Sequence, residues 1–324
     1  MKTLVLGSNS CAGSHYVKYL QENDLFCVAT SRSKENEQKF LAYKKSKSQI
    51  YIKLDINKDL KKIPQLSAKH DIDCVVNFAS QSMVAESWTN PLHWMKTNCT
   101  STVKLLIQLA KIKNLKAYIH FSTPEVYGNT NTWVRENCGV SPSTPYAATR
   151  ALGDFFVKMW GNKYNLPFII TRAANVYGEG QKLYRIIPRT FHYLNTNKRI
   201  PLHGGGKTER SFIHCEDVSR AIITILNSKI THTCFHISPK EKISIKNLVS
   251  KICKLENKML KNSIVSSADR PGKDLKYMLD PYKLQKIGWE PKINLDDGLD
   301  RMRHWYLKNQ RSFRESDEKY LHKE

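Results

Sequence analysis

Apolar residues in the first half of the chain cluster in short continuous runs bounded by small or polar residues. Residues 3–6, 26–30, 50–54, 74–78, 117–121 and 168–171 read as strands. Between them the apolar positions switch to helical spacing over residues 14–20, 94–110 and 146–160. Strands alternating with helices predict an α/β fold, a Rossmann-type doubly wound parallel sheet. Helices then cover both sheet faces, so the strands carry unbroken apolar runs.

Beyond Gly178 the pattern weakens. Gly204-Gly205-Gly206 predicts a flexible turn, residues 217–226 a helix and residues 235–237 a strand. From Ser244 the chain is helix- and Lys-rich, and the charged tail after Asn309 is expected to fray. The expected organisation is a dinucleotide-binding unit over residues 1–178 that also carries the catalytic residues. A smaller α/β substrate-binding unit follows over residues 179–324, with segments around 211–240 packing back on the first.

Composition narrows the function classes. With 324 residues, 40% of them hydrophobic, the chain can bury a sizeable core. The net charge of +23 favours anionic ligands. The lysines are scattered, however, and no basic run is interleaved with aromatics, so nucleic acid is not an expected partner. None of the eight cysteines forms a C-x-x-C pair, and the histidines show no metal spacing; no metal is expected. Reduced thiols in the cytoplasm are the default. The N-terminus reads as a strand entering a glycine turn, not a signal peptide, and no apolar stretch approaches membrane-spanning length.

Residues 7–13 follow the first strand and open a helix with Gly-x-x-Ser-x-x-Gly spacing. Gly7 permits the tight turn, Gly13 permits close helix packing, and the helix N-terminus between them can face a pyrophosphate. Taken alone, that pattern also describes a turn with no ligand. Its context favours a dinucleotide, because Asp55 ends the third strand, where such folds meet adenine. Ser31-Arg32 ends the second strand, where NAD sites usually carry an acidic residue. Arg and Ser suit the 2′-phosphate of NADP better, although a loop Arg can simply be solvated.

Tyr146 and Arg150 lie four residues apart, on one face of a helix. A nearby cation favours phenolate, so Tyr146 is expected to titrate below its usual value of about 10 and act as a base. Upstream stands Ser122-Thr123-Pro124-Glu125-Val126-Tyr127-Gly128.

With these residues the chain resembles the extended short-chain dehydrogenase/reductases that act on nucleotide sugars, and within them the dTDP-glucose and GDP-mannose 4,6-dehydratases. Residues 77–82, 122–128, 146–150, 172–178, 186–189, 210–214 and 269–274 carry the resemblance. It implies cofactor contacts at Gly7, Asn9, Ser10, Cys11, Gly13, Ser31, Arg32, Asp55, Ile56, Phe78, Ala79, Ser80, Tyr146, Arg150, Ala173 and Val176. It implies substrate contacts at Gln81, Ser82, Asn175, Arg189, Arg210 and Arg270. By the same resemblance Tyr146 takes the sugar 4-hydroxyl proton as hydride leaves C4, Thr123 aligns the 4-oxygen, and Glu125 removes the C5 proton as water leaves C6. A homodimer pairing residues 94–110 and 146–160 is implied likewise.

Two positions depart from the family pattern. Arg150 stands in place of Lys; it keeps the charge but cannot release a proton. Pro124 stands where dTDP-glucose dehydratases have an Asp acid and GDP-mannose dehydratases a Ser. The readings are therefore a 4,6-dehydratase, a C4 epimerase or 4-dehydrogenase that needs no acid at 124, or a nucleotide-binding protein without turnover.

Overall fold

A computed structural model of the protein describes residues 1–268 and 274–322. Seven strands form one sheet: β1 (Thr3–Leu6), β2 (Cys27–Ser31), β3 (Gln49–Lys53), β4 (Cys74–Asn77), β5 (Ala117–Ser122), β6 (Phe168–Ala173) and β7 (Thr233–Ile237). Their spatial order is β7-β6-β5-β4-β1-β2-β3, and every neighbouring pair is parallel. β1, β2, β4 and β6 are buried throughout, which is why they read as continuous apolar runs. The strand order reverses between β1 and β4, and the crevice outside their C-terminal ends is where such sheets bind ligands.

The helices that matter for the site are α1 (Cys11–Glu22), α2 (Ser101–Leu109), α3 (Pro145–Tyr164), α4 (Ile186–Asn195), α5 (Cys215–Ser228), α6 (Ile245–Leu255) and α7 (Leu295–Asn309). α4, α6 and α7 enclose a second core of Leu183, Ile187, Phe191, Leu248, Ile252, Leu299 and Met302. Ile187 of that core also lines the cleft described below. Among the described residues no helix is long and apolar enough to cross a membrane.

Two expectations are corrected. Residues 94–110 are not one α-helix. A short turn at Pro91–Trp94 passes into a π-helical turn at Met95–Thr100 and only then into α2. The wide turn has a clear structural use: Asn98 accepts from the Gln81 N–H (2.8 Å), donates to the Gln81 carbonyl (3.0 Å) and donates to Thr149 Oγ1 (3.2 Å). It thereby ties the loop after β4 to α3, consistent with the concentration of π turns at functional sites.

Residues 310–322 of the tail also do not fray; they are held by specific contacts. Lys39 Nζ donates to the Ser312 carbonyl (2.6 Å) and pairs with Asp317 (2.9 Å), and Glu318 meets His192 (2.9 Å) and Lys198 (2.7 Å). Phe313 packs on Tyr306, Trp305 and Phe40, while the Tyr320 hydroxyl donates to Gln81 Oε1 (3.2 Å). Charge made this segment look solvated, but its aromatics supply apolar area and its acids find basic partners. Deleting residues 310–324 should lower the melting temperature by about 3 °C or more, since burial of one large aromatic is worth about 2 kcal/mol. A thermal melt of the truncated chain checks this; an unchanged midpoint would mean that the contacts are not stabilising.

Candidate active site

The dinucleotide turn is built by its small residues. Gly7 has φ of 85°, and a Cβ there would lie 2.7 Å from the Ala79 nitrogen. A Cβ on Gly13 would lie 2.4 Å from the Gly7 carbonyl. Ser10 caps α1, accepting from the Gly13 N–H (3.1 Å) and donating to the Gly7 carbonyl (2.7 Å). Asn9 holds the loop after β2, donating to the Lys34 carbonyl (2.8 Å) and accepting from the Asn36 N–H (3.1 Å). Ser31 Oγ accepts from the Asn9 N–H (3.0 Å). Burial pushes the Tyr184 and Tyr320 hydroxyls up, and Arg32 lies near enough to both to oppose that rise in part. Asp55 accepts from the Asn57 N–H (2.9 Å), and Ile56 is buried.

At the end of β5 the chain enters a 3₁₀ turn, Pro124–Tyr127. Thr123 caps it, accepting from the Glu125 N–H (3.3 Å). Pro124 occupies the first position of that turn, where an N–H has no partner to lose. Its ring starts the turn and offers no proton. α3 begins at Pro145 under a Thr144 cap, and its first turns carry Tyr146 and Arg150 inward.

These elements enclose a cleft of about 540 Å³. Of the sequence-predicted residues, Asn9, Ser10, Cys11, Phe78, Ser80, Ser82, Thr123, Glu125, Tyr146, Arg150, Ala173, Asn175, Val176, Arg189 and Arg210 line it. Gly7, Gly13, Ser31, Arg32, Asp55, Ile56, Ala79 and Gln81 do not; they shape the turns around it or sit at its margin. Arg270 lies outside the described residues. Sequence reasoning missed Tyr184, Arg185 and Tyr277, which also line the cleft. Arg185 donates to Ser82 Oγ (2.9 Å), and Tyr277 donates to Asn175 Oδ1 (3.1 Å) beneath the Arg210 guanidinium, 4.2 Å above its ring. Arg185 immediately precedes the quoted 186–189 stretch, the one signal that could have found it.

The electrostatics overturn one expectation. Tyr146 does not titrate below its usual value; burial pushes its hydroxyl upward. Arg150 pulls it down, Glu125 adds to the rise, and the Thr123 hydroxyl bond lowers it, but loss of water around the phenolate outweighs the cation. Part of Arg150's hydrogen-bonding capacity goes to the Phe121 carbonyl. Glu125 moves in a useful direction. Burial raises its carboxyl from 4.5 to about 7, with Arg210 opposing, Asp274 reinforcing and Arg185 opposing. A carboxyl that exchanges its proton near neutrality is suited to acid–base work.

Ser122 Oγ, Arg150 Nε and Asn175 Nδ2 are among the buried polar atoms of the cleft wall that have no hydrogen-bond partner among the described residues. Together with the open helix N-terminus at Ser10–Gly13, they fit a polar, anionic ligand of dinucleotide and sugar-diphosphate type.

Comparison with known proteins agrees with this geometry. The family model for GDP-mannose 4,6 dehydratase matches residues 4–302. The chain belongs to that family. It is 34% identical over 263 residues to the trifunctional UDP-glucose 4,6-dehydratase/UDP-4-keto-6-deoxy-D-glucose 3,5-epimerase/UDP-4-keto-L-rhamnose-reductase RHM2 of Arabidopsis thaliana, a match over 80% of this chain and 39% of that protein. The chain thus spans about two-fifths of that plant relative. It is 28% identical to dTDP-glucose 4,6-dehydratase 1 of Escherichia coli K12, over 95% of this chain and 93% of the relative. Among solved structures, the dTDP-glucose 4,6-dehydratase DesIV of Streptomyces venezuelae, with NAD and TYD bound, superposes with a TM-score of 0.91 at 27% identity. That match covers 98% of this chain and 100% of DesIV. The UDP-glucuronic acid 4-epimerase of Bacillus cereus, in complex with UDP-glucuronic acid and NAD, superposes with a TM-score of 0.86 at 26% identity, covering 95% and 99%.

Proposed function

We propose that this member of the family is a nucleotide-sugar 4,6-dehydratase that uses NAD or NADP without consuming it. The observation that carries the reading is Glu125, a partly exposed carboxyl whose proton affinity is raised to about 7 in the same cleft as Thr123 and Tyr146. A C4 epimerase or 4-dehydrogenase needs Tyr146 but has no step for such a carboxyl.

When bound, the dinucleotide would supply the hydride acceptor at C4, the hydride donor at C6 and a positive ring charge near Tyr146. Gly7, Ser10 and Gly13 would hold its pyrophosphate, and Tyr146 and Arg150 its nicotinamide ribose. Tyr146 takes the proton of the sugar 4-hydroxyl, with Arg150 favouring the phenolate. Thr123 hydrogen-bonds the 4-oxygen. The resulting 4-ketone acidifies C5, and ionised Glu125 takes the C5 proton. Protonated Glu125 then gives that proton to the C6 oxygen on the same face, so the C6–O bond breaks and water departs. One carboxyl of near-neutral proton affinity can perform both transfers, which removes the need for an acid at 124. Arg185, Arg189 and Arg210 are the proposed diphosphate contacts.

The competing reading, a C4 epimerase or dehydrogenase, is favoured by Pro124 itself. A panel of nucleotide sugars decides: the dehydratase yields a product lighter by one water, with a 4-ketone and a C6 methyl group. A C4 epimer with its C6 hydroxyl intact, or accumulating reduced cofactor, would contradict it.

Ser31-Arg32 suits NADP, whereas the superposed relatives carry NAD. If Arg32 reads a 2′-phosphate, Arg32→Ala should weaken NADP about 10- to 100-fold and leave NAD unchanged, as for loss of one charge-assisted hydrogen bond. Equal effects on both would assign Arg32 elsewhere. A homodimer is supported by Trp88, Leu92, Ile107, Phe155 and Met159, all exposed on the helices at 84–109 and 145–164. Sedimentation equilibrium giving a monomer would remove that reading. The proposed compartment is the cytoplasm, in keeping with eight free cysteines.

A further inference from the structure

The fold assembles one cluster that the reaction above does not use. Cys11 opens α1 and His15 lies one turn further on, facing the same way. Cys215 opens α5, which packs along α1. The Cys11 and Cys215 sulfurs are 3.0 Å apart although 204 residues separate them in sequence. One ligand atom from each of Cys11, His15 and Cys215 lies within 4.8 Å of the others. His15 and Cys215 are fully buried, while Cys11 borders the cleft. The His15 Nε2 atom is 2.9 Å from the Glu179 carbonyl, and its Nδ1 atom is buried without a hydrogen-bond partner. Glu179 itself is held by His214 (3.1 Å).

We propose that Cys11, His15 and Cys215 form a zinc site that clamps α1 to α5 beneath the dinucleotide turn. Two thiolates and an imidazole are a donor set that Zn²⁺ prefers, and the two thiolate charges offset the charge of the ion, so the occupied site would be neutral and would tolerate burial. Binding releases the two thiol protons as two Zn–S bonds form. At about 2.3 Å per Zn–S bond in tetrahedral geometry the sulfurs would sit about 3.8 Å apart, a side-chain adjustment of under about 1 Å. The Gly178 carbonyl, 3.6 Å from Cys11 Sγ, or water from the cleft would supply the fourth ligand. The outer contact from Glu179 to His15 matches the carbonyl or carboxylate partners that orient ligating imidazoles. Sequence spacing hid the site because Cys215 comes from the other half of the chain.

The full-length protein, stripped with chelator under reducing conditions, should bind one equivalent of Co²⁺. It should show a near-ultraviolet sulfur-to-cobalt charge-transfer band and the visible bands of a tetrahedral ion, both abolished by Zn²⁺. Zn²⁺ at about 100 times its dissociation constant should raise the melting temperature by about 3–5 °C. Cys11→Ser and Cys215→Ser should each lose most of the charge-transfer band, whereas Cys138→Ser, at an exposed position, should keep it. If either cysteine variant fails to fold, His15→Gln carries the test, with loss of the tetrahedral bands expected. A band absent from the wild type, or surviving in a folded Cys215→Ser, would overturn the site. So would an air-exposed protein two hydrogens lighter by intact mass and unable to bind Co²⁺ after reduction. None of these readouts depends on dehydratase activity.

Discussion

Glu125→Gln should continue to oxidise its substrate at C4 while losing water from C6 about 10²- to 10⁴-fold more slowly. In single turnover, reduced cofactor and a 4-keto sugar that still carries its C6 hydroxyl should accumulate. In the wild type the C5 step needs ionised Glu125, so its rate should climb as pH rises through about 7 and level off above it. The same carboxyl predicts a stability difference. Its folded-state value lies above its ordinary 4.5, so the stabilising protonated form is complete below about 4.5 and lost as pH rises through about 7. Each tenfold in proton affinity is about 1.4 kcal/mol, which sets a ceiling near 3 kcal/mol, and partial exposure brings it toward about 2. Gln cannot ionise. The variant should therefore be about 2 kcal/mol more stable than wild type above pH 7 and no more stable near pH 4. Urea titrations at the two pH values check this, and equal differences at both would remove the raised proton affinity from the account.

Tyr146→Phe should bind nucleotide sugar and cofactor yet lose C4 oxidation by about 10³-fold or more, because the proposed mechanism assigns removal of the hydroxyl proton to the phenol. Phe keeps the ring and its burial, so a folded, binding-competent but inactive protein is the expected result. Rapid-mixing absorbance of the reduced cofactor, with binding measured separately, distinguishes the two effects. Turnover within a few-fold of wild type would dismiss Tyr146 as the base. Burial holds the phenol above its usual value despite Arg150. Arg150, together with the positive ring charge that a bound nicotinamide would supply, would have to lower it.

The sheet was legible because the buried parallel strands carry short apolar runs, as in Val75-Val76 and Ile169-Ile170. The glycine turn was legible because Gly7 and Gly13 leave no room for a Cβ. Spacing placed Tyr146 and Arg150 on one helix face, but it could not weigh burial against charge, which reversed the direction of the Tyr146 shift. Nor could it show the proton affinity of Glu125, which depends on Arg185, Arg210 and Asp274 arriving from elsewhere in the chain. The π turn at Met95–Thr100 widens the helix by its i→i+5 backbone bonds, a change that apolar spacing over six residues does not reveal. The tail misled because Lys39, His192 and Lys198, which neutralise its acids, lie more than 100 residues upstream.

The central claim is that one hydride moves from C4 to C6 within a single bound sugar. A nucleotide sugar carrying deuterium at C4 tests it most directly, with the product read by NMR and mass. The account predicts a 4-keto product with the deuterium in its C6 methyl group and no net reduced cofactor. Deuterium retained at an inverted C4, or released in the reduced cofactor, would contradict it.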